Sequence, residues 1–265
     1  MDVEVERDPW WPLARPLGAR SIVASLLLGM HPPRTSGARL VWWCGQFGIS
    51  ENATRVALSR MVDRGELVSA DGNYELSGRV AARQAAQDWA RSPAYRDWDG
   101  RWVIHVVDSA ARSAGERTAL RSAASAARLA ELREGVWTRP ANLPETATPP
   151  DANSVLASQT LRWLAVPERT PDVSTLFALE DWSQRARVLV DATSASTAAI
   201  RDGTSARALA QAFVAGAALL QHLRRDPFLP TDLTPVDWPG ELARATYTDF
   251  QAVFPPAVAA AFHER

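Results

Sequence analysis

The chain has 265 residues, 46% of them apolar and 22% charged, the profile of a soluble globular protein long enough for two or three domains. Cys44 is the only cysteine, which excludes an intrachain disulfide framework and a cysteine-based zinc site. The net charge is −1, but ten arginines and six acids fall between Arg15 and Arg91, so that stretch carries +4 and the remainder −5. A mildly basic segment on an acidic body suits contact with nucleic acid. Every basic residue other than histidine is arginine. The longest apolar run, Ile22 to Met30, is too short to cross a bilayer. The acidic stretch from Met1 to Trp10 has no basic flank before an apolar core and does not read as a secretory signal. The expected location is cytoplasmic.

In chain order, Leu17 to Gly29 reads as a buried helix that breaks at His31-Pro32-Pro33. Arg39 to Phe47 forms a second, short apolar helix. Gly48-Ile49-Ser50 is a turn with Ser50 as N-cap. The third helix runs from about Glu51 to Arg64 and stops at Gly65, with Ala53, Val56, Ala57, Met61 and Val62 as its apolar positions. Leu67 to Ala70 and Tyr74 to Ser77 are short strands around Asp71-Gly72-Asn73, and an Asp-Gly turn between two strands signals a hairpin. Helix, helix, turn, helix, hairpin is the order of a winged helix-turn-helix, predicted for residues 1–92. A connecting helix, Arg79 to Arg91, leads out.

Beyond Pro93, Arg101 to Val107 is a strand, Glu116 to Arg128 an Ala-rich helix, and Leu132 to Thr138 a second strand. Pro140 to Asn153 is a proline-rich loop without apolar period. Leu161 to Val166 is a further strand and Pro171 to Leu179 a short helix. Residues 93–180 are therefore expected to be a small α+β domain. From Asp181 the chain reads as helical, over 181–192, 205–225 and 239–253, with a tail from Pro256. There is no internal repeat.

Three separated segments carry a resemblance: GISENATRVALSRMVDRG (48–65), WDGRW (98–102) with GVWTRP (135–140), and RDPFLP (225–230) with DWPG (237–240). Together they resemble the PaaX-like regulators, the phenylacetate-degradation repressors, over nearly the whole chain. The resemblance implies an α+β multidomain protein. Its parts would be an N-terminal winged helix-turn-helix, a central ferredoxin-like domain (93–180) and a helical C-terminal domain (181–265). It also implies a homodimer on a pseudo-palindromic double-stranded DNA operator, and release by an effector such as an acyl-coenzyme A or small aromatic acid. The sequence departs from the family pattern at Ala127-Arg128, where a glycine-aromatic pair is expected.

On the third helix Asn52, Arg55, Ser59 and Arg60 lie away from the predicted apolar set. The Arg55 fork can pair bidentately with guanine and Asn52 with adenine, whereas Ser59, Arg60 and Arg64 suit phosphate contacts. A solvated polar helix face is the competing reading. Asn73 at the hairpin tip either touches DNA or only shapes the turn. Near the end of the 205–225 helix, His222 lies beside Arg225, and Arg224 and Arg225 can hold the phosphates of a coenzyme A thioester. A structural knot, with Asp226 capping before Pro227, competes. Trp182 and Trp238 are candidates for an aromatic effector pocket, although most of the tryptophans should be core. Asp108, ending the first central strand, suggests an alternative as a metal-dependent nuclease, as in the related CRISPR-associated fold, but one carboxylate makes a poor metal site. A DNA-binding protein without a small-molecule ligand is a third reading. No metal-ligand spacing, nucleophile elbow, phosphate loop or dinucleotide fingerprint occurs, so neither an enzyme nor a resident cofactor is expected.

Overall fold

The structure, a computed structural model, describes residues 17–30, 32–77, 89–108, 112–203 and 205–263. In chain order its elements begin with α1 (Ala19–Leu28), β1 (Arg34–Ser36), α2 (Gly37–Gly45), α3 (Glu51–Asp63), β2 (Leu67–Ala70) and β3 (Asn73–Leu76). Next come β4 (Trp102–Val107), α4 (Ala114–Ala126), β5 (Ala130–Arg133), β6 (Val136–Pro140), α5 (Pro150–Gln159) and β7 (Thr160–Ala165). The remainder is α6 (Val173–Leu176), α7 (Leu179–Asp202), α8 (Ala206–Leu223) and α9 (Gly240–His263). The protein is thus mixed α+β with a helical C-terminal region. Two compact units result. One is made of Met1–Arg91, Arg185–Arg224 and Pro239–Arg265, the other of Ser92–Gln184 and Arg225–Trp238.

Local signals account for most boundaries in the first unit. Ser36 and Ser50 cap α2 and α3 by accepting the backbone N–H of Arg39 and Ala53 at 3.3 and 3.2 Å, each satisfying a donor the helix leaves open. Strands β2 and β3 pair antiparallel from Leu67↔Leu76 to Ala70↔Asn73. Asp71 (φ 50°) and Gly72 (φ 72°) close them in the left-handed region that a two-residue hairpin demands. An unanticipated third strand, β1, pairs with β3 and gives the order β1-β3-β2. Of the expected 79–91 helix, residues 78–88 lie outside the described residues; Trp89, Ala90 and Arg91 are helical.

The core of this unit joins the N-terminal helices to the C-terminal ones. Trp43 of α2 is fully buried and meets Phe47, Phe213 of α8 and Phe254 of α9 edge-on at 5.3, 5.4 and 5.7 Å between ring centroids. Such pairs add about 0.5–1.5 kcal/mol each beyond the area they bury. Ile22, Leu26 and Leu27 of α1 and Leu209, Leu219 and Tyr247 of the C-terminal helices extend the same cluster. Gly216 of α8 lies so close to the Phe250 ring that a Cβ there would overlap it. Helix α9 does not stop before Pro256; it runs through Pro255 and Pro256 to His263. Val258, fully buried beyond the prolines, shows that packing overrides their break.

The second unit holds a four-stranded antiparallel sheet in the order β5-β6-β4-β7. Val103 and Trp137 from one sheet face pack with Leu120, Ala124 and Ala127 from the α4 segment and with Ala152 and Leu156 of α5. A capping box, Ser113 with Glu116, starts α4. The single strand expected over 132–138 is instead a hairpin, β5 and β6, turning at Gly135 (φ 76°). The loop expected over 140–153 is only partly loop. Pro150 occupies the first turn of α5, where its missing N–H costs nothing. Arg128, at the position where an aromatic was expected, takes φ 58° and sets its guanidinium 4.6 Å from the Phe228 ring centre.

Candidate nucleic-acid interface

Helix α3 turns a different side inward from the one expected. Its buried residues are Thr54, Leu58 and Met61, one stripe at spacings of four and three. Ala53 and Val56, assigned above to the apolar side, are exposed, Val56 to 41%. The misreading has a physical source: Thr54 is buried because its hydroxyl donates to the Ser50 carbonyl at 3.1 Å, so a polar residue fills a core position. Opposite the middle of the stripe made by Thr54, Leu58 and Met61, Asp63, Val56 and Asn52 point most directly outward, with Ser59 and Arg60 on either side.

Asn52, Arg55, Ser59, Arg60 and Arg64 are all exposed on or just beyond this helix. Arg60 and Arg64 have no acidic partner among the described residues, so their donors face solvent. Arg55 is engaged: its Nε and Nη2 donate to Glu51 Oε1 at 2.8 and 2.7 Å. Asn73 is half-buried and its amide donates to the Asp71 carbonyl at 3.3 Å, bracing the hairpin turn. Arg20 of α1 clamps the turn between α3 and β2, donating to both oxygens of Glu66 at 2.8 and 3.0 Å. What the arrangement offers is one convex helix face with hydrogen-bonding and methyl groups, framed by a short β-ribbon. The sequence contained the signal for Val56, since an apolar residue beside Arg55 need not be core.

The residues considered for an effector belong to both units. His222 is buried and Arg224 exposed at the end of α8, in the first unit; Arg225 is exposed in the second. Asp226 is buried and accepts the backbone N–H of Phe228 at 2.8 Å. Phe228 is itself buried at φ 51°, its carbonyl accepting from the Asn142 side chain at 2.8 Å. The Asp-Pro-Phe-Leu-Pro stretch is thus a plug in the second unit's core. Trp182 and Trp238 come together there, stacked at 4.4 Å between centroids and 20° between planes. Asp108 is exposed, with its backbone N–H on the Gln159 carbonyl at 3.2 Å. Among the described residues no group of three or more His, Cys, Asp or Glu is placed to hold a metal.

One histidine is held neutral. His105 of β4 is buried, and its Nδ1 lies 2.8 Å from Thr160 Oγ1, whose own proton goes to the Leu156 carbonyl at 2.6 Å. The hydroxyl must therefore accept, which places the imidazole proton on Nδ1. Burial, with Arg162 and Arg139 nearby, pushes its pKa down to about 4. Arg139 is buried as well, and desolvation beside Arg128 and Arg162 lowers its pKa to about 10.

The exposed helix face and its hairpin lie in the N-terminal part of the chain, and the C-terminal region is helical. Residues 18–80 match the family described as PaaX-like protein, and residues 177–264 the PaaX-like protein C-terminal domain. The chain belongs to the PaaX-like family, whose members are DNA-binding transcriptional regulators rather than enzymes. It is similar to a solved structure, the uncharacterized protein Rv0674 from Mycobacterium tuberculosis, at 37% identity and a TM-score of 0.73. The similarity covers 92% of this chain and 99% of that one. No curated protein matches. Among the described residues no helix is long and apolar enough to cross a membrane.

Proposed function

We propose that the protein is a cytoplasmic transcriptional regulator, a repressor of a catabolic pathway, that reads its operator with α3 in the major groove. The observation that carries the reading is the α3 face, with Asn52, Val56, Ser59 and Arg60 exposed beside the β2–β3 hairpin. A helix of this diameter fits the major groove, amide and guanidinium groups read base edges there, and an apolar side chain contacts the thymine methyl. Val56 joins Asn52 and Arg55 as a base-reading candidate; Ser59, Arg60 and Arg64 take phosphates. Asn73 shapes the wing. Residues 1–92 in this reading are a winged helix-turn-helix, 93–180 a ferredoxin-like domain and 181–265 a helical domain. The β-α-β-β-α-β order of the second unit, with its β5-β6-β4-β7 arrangement, supports the middle assignment.

The regulator acts as a homodimer on a pseudo-palindrome. Strand β7 supports this: it is an edge strand, and Leu161, Trp163 and Leu164 on it are 48%, 58% and 47% exposed. Such an edge invites pairing with a second copy. An acyl-coenzyme A or small aromatic acid releases the dimer from DNA, through a coupling of about 1–3 kcal/mol between ligand and operator. The test is selection of bound fragments from sheared genomic DNA, followed by footprinting. The expected result is protection of two half-sites with dyad symmetry. Failure to enrich any sequence over bulk DNA refutes the proposal.

A further inference from the structure

On the helix-covered face of the second unit's sheet, two arginines flank a buried histidine. The register sets Arg139 of β6 opposite Val103, and Trp137 of β6 and Arg162 of β7 on either side of His105. Residues directly opposite in an antiparallel pair share a face. Val103 and Trp137 pack with residues of α4 and α5, so Arg139, His105 and Arg162 lie on that side too. Arg139 is the anomaly. It is 7% exposed, yet its side chain makes one hydrogen bond among the described residues, from Nη1 to the Pro140 carbonyl at 3.2 Å. Neither Arg139 nor the exposed Arg162 makes an ion pair there. Glu131 of β5, opposite Trp137 on the same face, has its carboxylate on the Gly135 N–H at 3.4 Å. Buried charges in native proteins are paired or coordinated, because desolvating a lone one is costly. Here burial, and then repulsion from neighbouring arginines, depresses the pKa of both His105 and Arg139.

We propose that Arg139 and Arg162 bind inorganic phosphate as the hydrogenphosphate dianion, beside His105. Two guanidinium groups match its charge, and their planar forks match its oxygen spacing. The 7% exposure of Arg139 admits a free ion but not the ester of a nucleotide or coenzyme. His105 adds selectivity. Its Nδ1 proton is committed to Thr160, and Nε2 is left as an acceptor with no hydrogen-bond partner among the described residues. The hydroxyl of hydrogenphosphate donates to that nitrogen. Sulfate has no proton to give, and its oxygen would meet the Nε2 lone pair. The bound ion ties β6 to the edge strand β7 across β4. None of this depends on the regulatory reading above.

Calorimetry on the full chain tests the site, after dialysis free of oxyanions, at constant chloride and slightly alkaline pH. Phosphate should bind, sulfate at least tenfold more weakly, and AMP not measurably. The His105 ring resonances should move as phosphate is added. Arg162→Gln, an exposed change, should weaken phosphate at least tenfold. Arg139→Met replaces a buried charge by an apolar chain; it should abolish binding and, without phosphate, unfold no earlier than the parent. If Arg139→Met fails to fold, Arg162→Gln decides. No heat at millimolar phosphate, AMP binding as tightly as phosphate, or unchanged affinity in Arg162→Gln each overturns the site. So does an equal rise in unfolding midpoint with phosphate in parent and Arg139→Met, the mark of a general salt effect. Sulfate binding as tightly as phosphate overturns the acceptor role of His105.

Discussion

Replacing Arg55 by alanine separates the base-reading role of α3 from a merely solvated surface. Its guanidinium is held by Glu51 in an i,i+4 pair whose side chains are 67% and 62% exposed, and exposed helical pairs are worth only about 0.3–0.5 kcal/mol. A bidentate guanine contact discriminates by about 1–3 kcal/mol, so DNA outcompetes Glu51 and the pair taxes binding slightly. The net loss in Arg55→Ala is on the order of 0.5–2.5 kcal/mol, or roughly 2- to 70-fold in Kd. Fluorescence anisotropy on a selected operator, with each half-site position varied, should show that loss and a relaxed preference at one base pair. Glu51→Gln works in the opposite direction. It frees the fork and removes a charge facing the phosphates, and should tighten binding about twofold. Arg60→Ala should weaken all sequences alike and lower the salt slope by about one. An Arg55→Ala protein with unchanged affinity and unchanged preference would refute the assignment of α3 as the reading helix.

Other perturbations reach the scaffold. Gly216→Ala drives a methyl into the Phe250 ring and should destabilise the fold by about 1–3 kcal/mol; a wild-type midpoint in thermal unfolding would contradict that packing. His105 has a folded pKa of about 4, below its unfolded value of about 6.5. The unfolded chain therefore binds the extra proton first. The contribution of His105 is complete above pH 6.5 and declines as the pH falls toward 4. Urea titrations across that window should show stability dropping with acid, and His105→Gln should flatten the slope. Trp163→Ser on the exposed edge of β7 should weaken self-association at least tenfold in sedimentation equilibrium while leaving the circular dichroism spectrum intact. A Trp163→Ser dimer as tight as the parent removes β7 from the interface.

The sequence announced local features well where one residue type has one physical use. Ser50 before a helix, Asp71-Gly72 between strands and Gly65 after α3 each appear where capping and turn chemistry put them. It misled where tertiary packing decides. Val56 reads as core by composition, yet the buried Thr54 rotates the helix and turns Val56 outward. Proline misled in both directions. Pro150 opens α5 inside an apparent loop, and Pro255 with Pro256 fails to end α9 because the residues beyond them are anchored. The proposed reading face was legible as a set of polar residues on one helix. The Arg55–Glu51 pair lies at the i,i+4 spacing that a sequence displays; the rings around Trp43 were not legible, because they come from residues far apart in the chain.

Trp43 carries a practical consequence. This indole belongs to the N-terminal segment, yet two of the rings around it, Phe213 and Phe254, arrive from beyond residue 200. A fragment ending near residue 91 would leave the indole's largest neighbours behind and offer a sticky, half-built surface to water. Gel-shift work on an excised reading head should fail for want of folding. Grafting that head onto another regulator should require the last two long helices to travel with it.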